Sequence, residues 1–156
     1  MNTLSRAFAG ALAMLACAGA AAADTDVKAA ADRFVSGIAW QPASVLKGDF
    51  SCAGQQQFAI LGTSAHEIVV AVFTHGLAQA PEVLRFESAE RKAGEAKIRL
   101  EESTLSPDEV KTLAGAEPPG YRPSARCKGV RLSDDASDAA HIYWDHGSKR
   151  FDSWSQ

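Results

Sequence analysis

Two short runs in the middle of the chain, residues 57–62 (QFAILG) and 67–74 (EIVVAVFT), are apolar almost throughout, and the turn-prone Gly62-Thr63-Ser64 separates them. Their β-branched and aromatic content predicts two central strands. Residues 82–87 (EVLRFE) and 97–102 (KIRLEE) instead alternate: Leu84 and Phe86, then Ile98 and Leu100, point to one face, with mostly charged neighbours on the other. That period of two predicts two more strands, half buried. The polar stretch 88–95 between them reads as a hairpin connection, so the four segments are expected to form an up-and-down antiparallel meander. Upstream, Val27, Ala30, Ala31, Phe34, Val35 and Ile38 recur at helical spacing and predict a helix over 24–38, capped by Asp24, Thr25 or Asp26 and ended by Gly37 and Pro42.

Downstream, Ser106-Pro107-Asp108-Glu109 carries a helix cap, a proline at the first helical position and the glutamate of a capping box, which predicts a short helix to Leu113. Residues 114–124 (AGAEPPGYRPS) hold three prolines and two glycines and predict an exposed loop. Two strands close the chain at 139–145 and 149–154, joined by His146-Gly147-Ser148, and a further short strand at 126–132 precedes an acidic turn at 133–138. The expected architecture is a single α+β domain over 24–156, mostly antiparallel, with about seven strands and two minor helices.

The first 23 residues change the picture from fold to address. A short segment with one charge, Arg6, leads into an uninterrupted small and apolar run over 7–20, and Ala21-Ala22-Ala23 supplies a small-residue cleavage site. This is the pattern of an export signal, with the mature chain expected to begin at Asp24 in the periplasm. Residues 14–17 (MLAC) also match part of a bacterial lipoprotein processing box, which offers a second route in which Cys17 is lipidated and held at the outer membrane. The run is shorter than the roughly 18–20 residues that span a bilayer, and no second run follows, so no transmembrane segment is expected.

Without residues 1–23 the 156-residue chain is 133 long, one domain in size, and loss of Arg6 takes its net charge from −3 to −4. An acidic balance disfavours nucleic acid and anionic membranes as partners. Two cysteines then remain, Cys52 and Cys127. In an oxidising compartment the pair is expected to form a disulfide, since neither a C-x-x-C motif nor a histidine at ligand spacing suggests a redox or metal pair.

Candidate chemistry is sparse. Asp49-Phe50-Ser51-Cys52-Ala53-Gly54 with Gln57 lies on the frame of a calcium loop, but only Asp49 and Gly54 fit, and Ser51, Ala53 and Gln57 stand where charged oxygens belong. A turn leading into a strand is the expected reading, with no metal and no cofactor. His141 and His146 flank Asp145 and supply the groups of a general-base site, which is the basis of a hydrolase alternative. With no G-x-S-x-G elbow and no free thiol after oxidation, an enzyme is not expected and no catalytic residue is assigned. The surface is more informative: Tyr121 with Glu117 and Arg122 on the proline-rich loop, and Asp145 and His146 at the strand end beside Trp144, are the residue types that anchor protein interfaces.

The segments GDFSCAGQQQFAILG, EIVVAVF, CKGVRL and DAAHIYWDHGSKRFDSW, over roughly residues 48–154, together resemble a family of small exported proteins of Gram-negative bacteria. Members of that family are found beside antibacterial effectors, and some are similar in structure to periplasmic lysozyme inhibitors. The resemblance implies a periplasmic immunity-type protein that binds a toxic effector, such as a cell-wall hydrolase, and occludes it. The alternative from the residues is a small-ligand or glycan-binding module using Trp144 and Tyr121 as stacking platforms.

Overall fold

Nine strands in two antiparallel sheets form the body of the protein, in a computed structural model that describes residues 18–87, 95–134 and 138–155, with the backbone alone for 18–22. In the first sheet β3 (Gln57–Thr63) pairs with β4 (Glu67–Phe73), and β4 pairs with β5 (Glu82–Glu87). The other edge of β3 carries β1 (Ala39–Trp40) and β2 (Leu46–Gly48) in succession. The second sheet runs in chain order through β6 (Lys97–Glu102), β7 (Lys128–Ser133), β8 (Ala140–Asp145) and β9 (Arg150–Ser155).

The near-continuous apolar character of β3 and β4 follows from burial on both faces. Ala59, Leu61, Ile68, Val70 and Val72 meet Ile98, Val130, Leu132, Ala140 and Ile142 of the second sheet. On the opposite face, Ile60, Val69, Ala71 and Phe73 pack with Val27, Ala30 and Ala31 of helix α1 (Ala18–Phe34) and with Trp40. The outer face of the second sheet is crossed by the chain between β6 and β7, which contains α2 (Pro107–Ala114). Both hydrogen bonds of the expected capping box are present there, Glu109 N–H to Ser106 Oγ and Ser106 N–H to Glu109 Oε2, and Gly115 ends the helix in the left-handed region.

Four expectations are corrected. Among the described residues the strands number nine, not about seven, because β1 and β2 are two- and three-residue pieces paired with β3 and are too short to show alternation. The four-strand meander is interrupted: β5 pairs with β4, but β6 pairs with β7 in the facing sheet. Alternation tells which face of a strand is apolar, and a sandwich and a meander ask for the same alternation. Most of the expected hairpin at 88–95 and residues 135–137 of the acidic turn lie outside the described residues. Helix α1 is already in progress at Asp24, so that residue caps nothing; its carboxylate lies 3.3 Å from Lys47 Nζ on β2. Ile98 is buried as expected, but Leu100, at the end of the sandwich, remains 47% exposed.

Candidate functional site

Three loops meet at one end of the sandwich. The first, between β2 and β3, is shaped by two side chains. The Asp49 carboxylate accepts the N–H groups of Ala53 and Gly54 at 2.9 and 2.8 Å. Gln57, only 1% exposed, accepts those of Phe50 and Ser51 through Oε1 and donates through Nε2 to Ser51 Oγ and the Thr74 carbonyl. Asp49, which fits the calcium frame, and Gln57, which does not, thus hold a turn together by hydrogen bonds. Among the described residues no three His, Cys, Asp or Glu side chains gather as a metal set.

The second loop descends from α2 to β7 and is fastened at several points. Tyr121 donates its hydroxyl to the Leu105 carbonyl at 3.1 Å, and Tyr143 donates to the Pro119 carbonyl at 3.0 Å. The two rings meet edge to face, 5.6 Å apart. Burial raises both hydroxyl pKa values, with Glu101 and Glu109 adding for Tyr121 and Asp152 and Asp145 for Tyr143, so both remain donors at neutral pH. Ser124 Oγ accepts the N–H groups of Arg126 and Cys127. The third loop, the β8–β9 turn, is shaped by Asp145, whose Oδ1 accepts from Gly147 N–H at 2.6 Å and Ser148 N–H at 3.2 Å.

Cross-ties lock the three together. Cys52 and Cys127 form a disulfide with their Cα atoms 5.0 Å apart, Lys128 N–H donates to the Asp49 carbonyl, and His146 N–H donates to the Gly120 carbonyl. Gly120 is needed for the last contact: its φ is +62°, and a Cβ there would fall on the Asp145 carboxylate.

Between the loops lies an open cleft of about 440 Å³ whose lining includes Asp49, Cys52, Arg122, Arg126, Cys127 and His146. His146 Nε2 is 3.6 Å from Cys52 Sγ. Burial, then the charges of Arg122 and Lys149, lower the His146 pKa against the opposing pull of Asp145, so the ring is neutral at pH 7. Arg122 and Arg126 are exposed, and their guanidinium groups have no hydrogen-bond or carboxylate partner among the described residues. With the Asp49 oxygens engaged by backbone N–H groups, the cleft presents two uncommitted guanidinium groups on an acidic chain.

Of the residues expected to bind a partner, Arg122 and His146 line this cleft. Asp145 and Tyr121 support it from behind, and Glu117 is exposed away from its lining. Arg126 was not anticipated; its one signal in the sequence is adjacency to Cys127. The grouping of His141, His146 and Asp145 does not form. His141 is buried on β8, its Nδ1 2.7 Å from Glu101 Oε1 and its ring stacked on Trp154 at 3.9 Å, whereas His146 faces the disulfide. Glu101 reaches His141 across β7, where the register partner of Glu101 is Gly129 and that of His141 is Arg131. Trp144 packs edge to face on Phe151.

The Asp145 turn has a consequence for acid stability. Hydrogen bonds from Ser148 and Gly147 lower the carboxyl pKa below its ordinary value of about 3.9. A group depressed in the folded state stabilises it above the unfolded pKa and loses that contribution as pH falls through the folded pKa. Urea denaturation from pH 7 downwards is expected to show Asp145→Asn less stable than the wild type near neutrality, with the gap narrowing as pH falls past the ordinary carboxyl value of about 3.9. A gap that is constant over that range would refute the assignment.

Comparison with protein-family models, curated proteins and solved structures finds no match to this chain.

Proposed function

We propose that this is a periplasmic immunity-type binding protein, delivered by the signal at residues 1–23, which occludes a toxic exported enzyme by docking the Arg122–Arg126 face into it and performs no chemistry on that enzyme. The observation that carries the reading is the pair of uncommitted guanidinium groups beside the cross-tied loops. Loops already fixed by a disulfide and backbone hydrogen bonds lose little freedom on association, which favours tight binding. Guanidinium groups pair with carboxylates in planar two-pronged geometry. A cell-wall glycosidase keeps two carboxylates in its cleft, so such a toxin offers the complementary charge. The resemblance to exported proteins found beside antibacterial effectors points the same way.

The test expresses the enzyme encoded beside this protein in the periplasm of a sensitive cell, with and without this chain. Protection and a one-to-one complex are expected. Arg122→Ala and Arg126→Ala are each expected to weaken the complex by about 1–3 kcal/mol while leaving the thermal melt unchanged, since neither side chain holds the fold. Equal protection by a version retained in the cytoplasm through deletion of residues 2–23, or absence of toxicity in the neighbouring product, overturns the proposal.

A further inference from the structure

We infer that the Cys52–Cys127 disulfide is a thiol-exchange site, open to small anionic thiols through the Arg122–Arg126 cleft, in addition to being a staple. The inference stands independently of the proposed partner.

A disulfide that only braces a fold is inert when its sulfurs are buried in apolar surroundings; reactive cysteines are partly exposed and sit beside cationic or hydrogen-bond-donating groups. This one has the second set of neighbours. Both cysteines line the open cleft, Cys52 partly buried and Cys127 8% exposed. His146 Nε2 stands against the Cys52 sulfur at 3.6 Å. Arg122 and Arg126, free of carboxylates, share the same wall. Cys52 also holds φ at +59°, a left-handed backbone that an L-residue other than glycine adopts at a cost.

The chemistry assigns a role to each group. A thiolate RS⁻, drawn into the cleft by the two guanidinium groups, attacks Cys127 Sγ; the RS–S bond forms as the Cys52–Cys127 bond breaks, and the electron pair leaves on Cys52 Sγ. His146 Nε2–H donates to that new thiolate, which makes Cys52 the better leaving group of the two. A second thiol then attacks the mixed disulfide, so that two RSH are oxidised to RSSR and the protein disulfide is reduced to two thiols. An anionic thiol such as glutathione carries carboxylates for the arginines to meet, whereas a cationic thiol is repelled.

The experiment follows reduction of the folded, oxidised full-length mature chain by glutathione, neutral 2-mercaptoethanol and cationic cysteamine at neutral pH. Rates are read by alkylation and intact mass and corrected for each thiol's thiolate fraction. The expected order is glutathione fastest and cysteamine slowest, with a spread of roughly tenfold or more that shrinks as salt is added. Arg122→Gln with Arg126→Gln is expected to abolish the order, and His146→Ala to slow all three thiols by roughly tenfold, the loss of about one hydrogen bond to the leaving sulfur. The trapped mixed disulfide is expected on Cys127. Reduction whose rate does not rise with thiol concentration marks attack only after global unfolding and overturns the inference. So do equal corrected rates for the three thiols in the wild type, or a mixed disulfide that maps to Cys52.

Discussion

Cys127→Ser, compared with the oxidised wild type, is expected to lose about 2–5 kcal/mol of stability, the range found on removing a native disulfide from a small secreted domain. The bridge closes a sequence separation of 75 residues. It joins the loop before β3 to the loop before β7, which belong to different sheets. The loss has two sources. The unfolded chain regains the freedom that the closed loop denied it, and the folded state is left to hold the two loops in register through contacts such as the Lys128 N–H to Asp49 carbonyl bond. Thermal unfolding of the variant is expected on the order of 10 °C lower. Mass measurement of the alkylated, non-reduced wild type provides the control, with no thiol labelled in a chain beginning at Asp24. A variant that melts within a degree or two of the wild type would mean that the bridge constrains nothing the sheets do not already fix.

Gln57→Ala is expected to be nearly as damaging, although glutamine is seldom a residue on which a fold depends. The side chain is 1% exposed and closes four hydrogen bonds, two as acceptor and two as donor. Truncation leaves the Phe50 and Ser51 N–H groups without that acceptor in a place water does not readily reach, at about 1–3 kcal/mol for each buried orphan. A total loss of about 2–4 kcal/mol is expected, measured by urea denaturation. Gln57→Glu separates hydrogen bonding from volume: it keeps the acceptor for Phe50 and Ser51 but loses both donated bonds and brings in a charge, and is expected to fall between the wild type and Ala. An Ala variant as stable as the wild type would show that the 49–57 loop relaxes to satisfy itself.

Strand positions were legible because the apolar pattern is local. All seven expected strands are present within two residues of their predicted bounds, and the Ser106 capping box forms as its four residues dictate. The pairings of β3 with β4 and of β4 with β5 are as expected, but the step from β5 to β6 was not legible. β5 and β6 carry similar alternations, yet they belong to opposite layers, a choice made by the whole core and not by either segment. The site shows the same division. The disulfide followed from counting cysteines. The roles of Gln57 and Asp49 were obscured because a frame of metal ligands and a frame of turn hydrogen bonds use the same oxygen-bearing side chains. The expected meeting of His141 with Asp145 overlooked strand geometry, in which four residues cover about 13 Å. The Glu101–His141 pair joins β6 to β8 across β7, and nothing along the sequence relates those two positions.

Each sheet is built from one uninterrupted stretch of chain: the first is complete at Glu87 and the second begins at Lys97. For a chain delivered N-terminus first, this sets an order of assembly. The first half can pair its strands and cover one face with α1, but the face bearing Leu61, Val70 and Val72 has no lid until the second sheet arrives. Throughout that interval Cys52 is a thiol whose partner, 75 residues further on, has not yet emerged. The nearest competing thiol is then Cys52 of another emerging copy, whose uncovered apolar face matches its own. If assembly fails in that interval, the product expected is a dimer joined covalently through Cys52, seen as a band that reducing agent removes from a non-reducing gel.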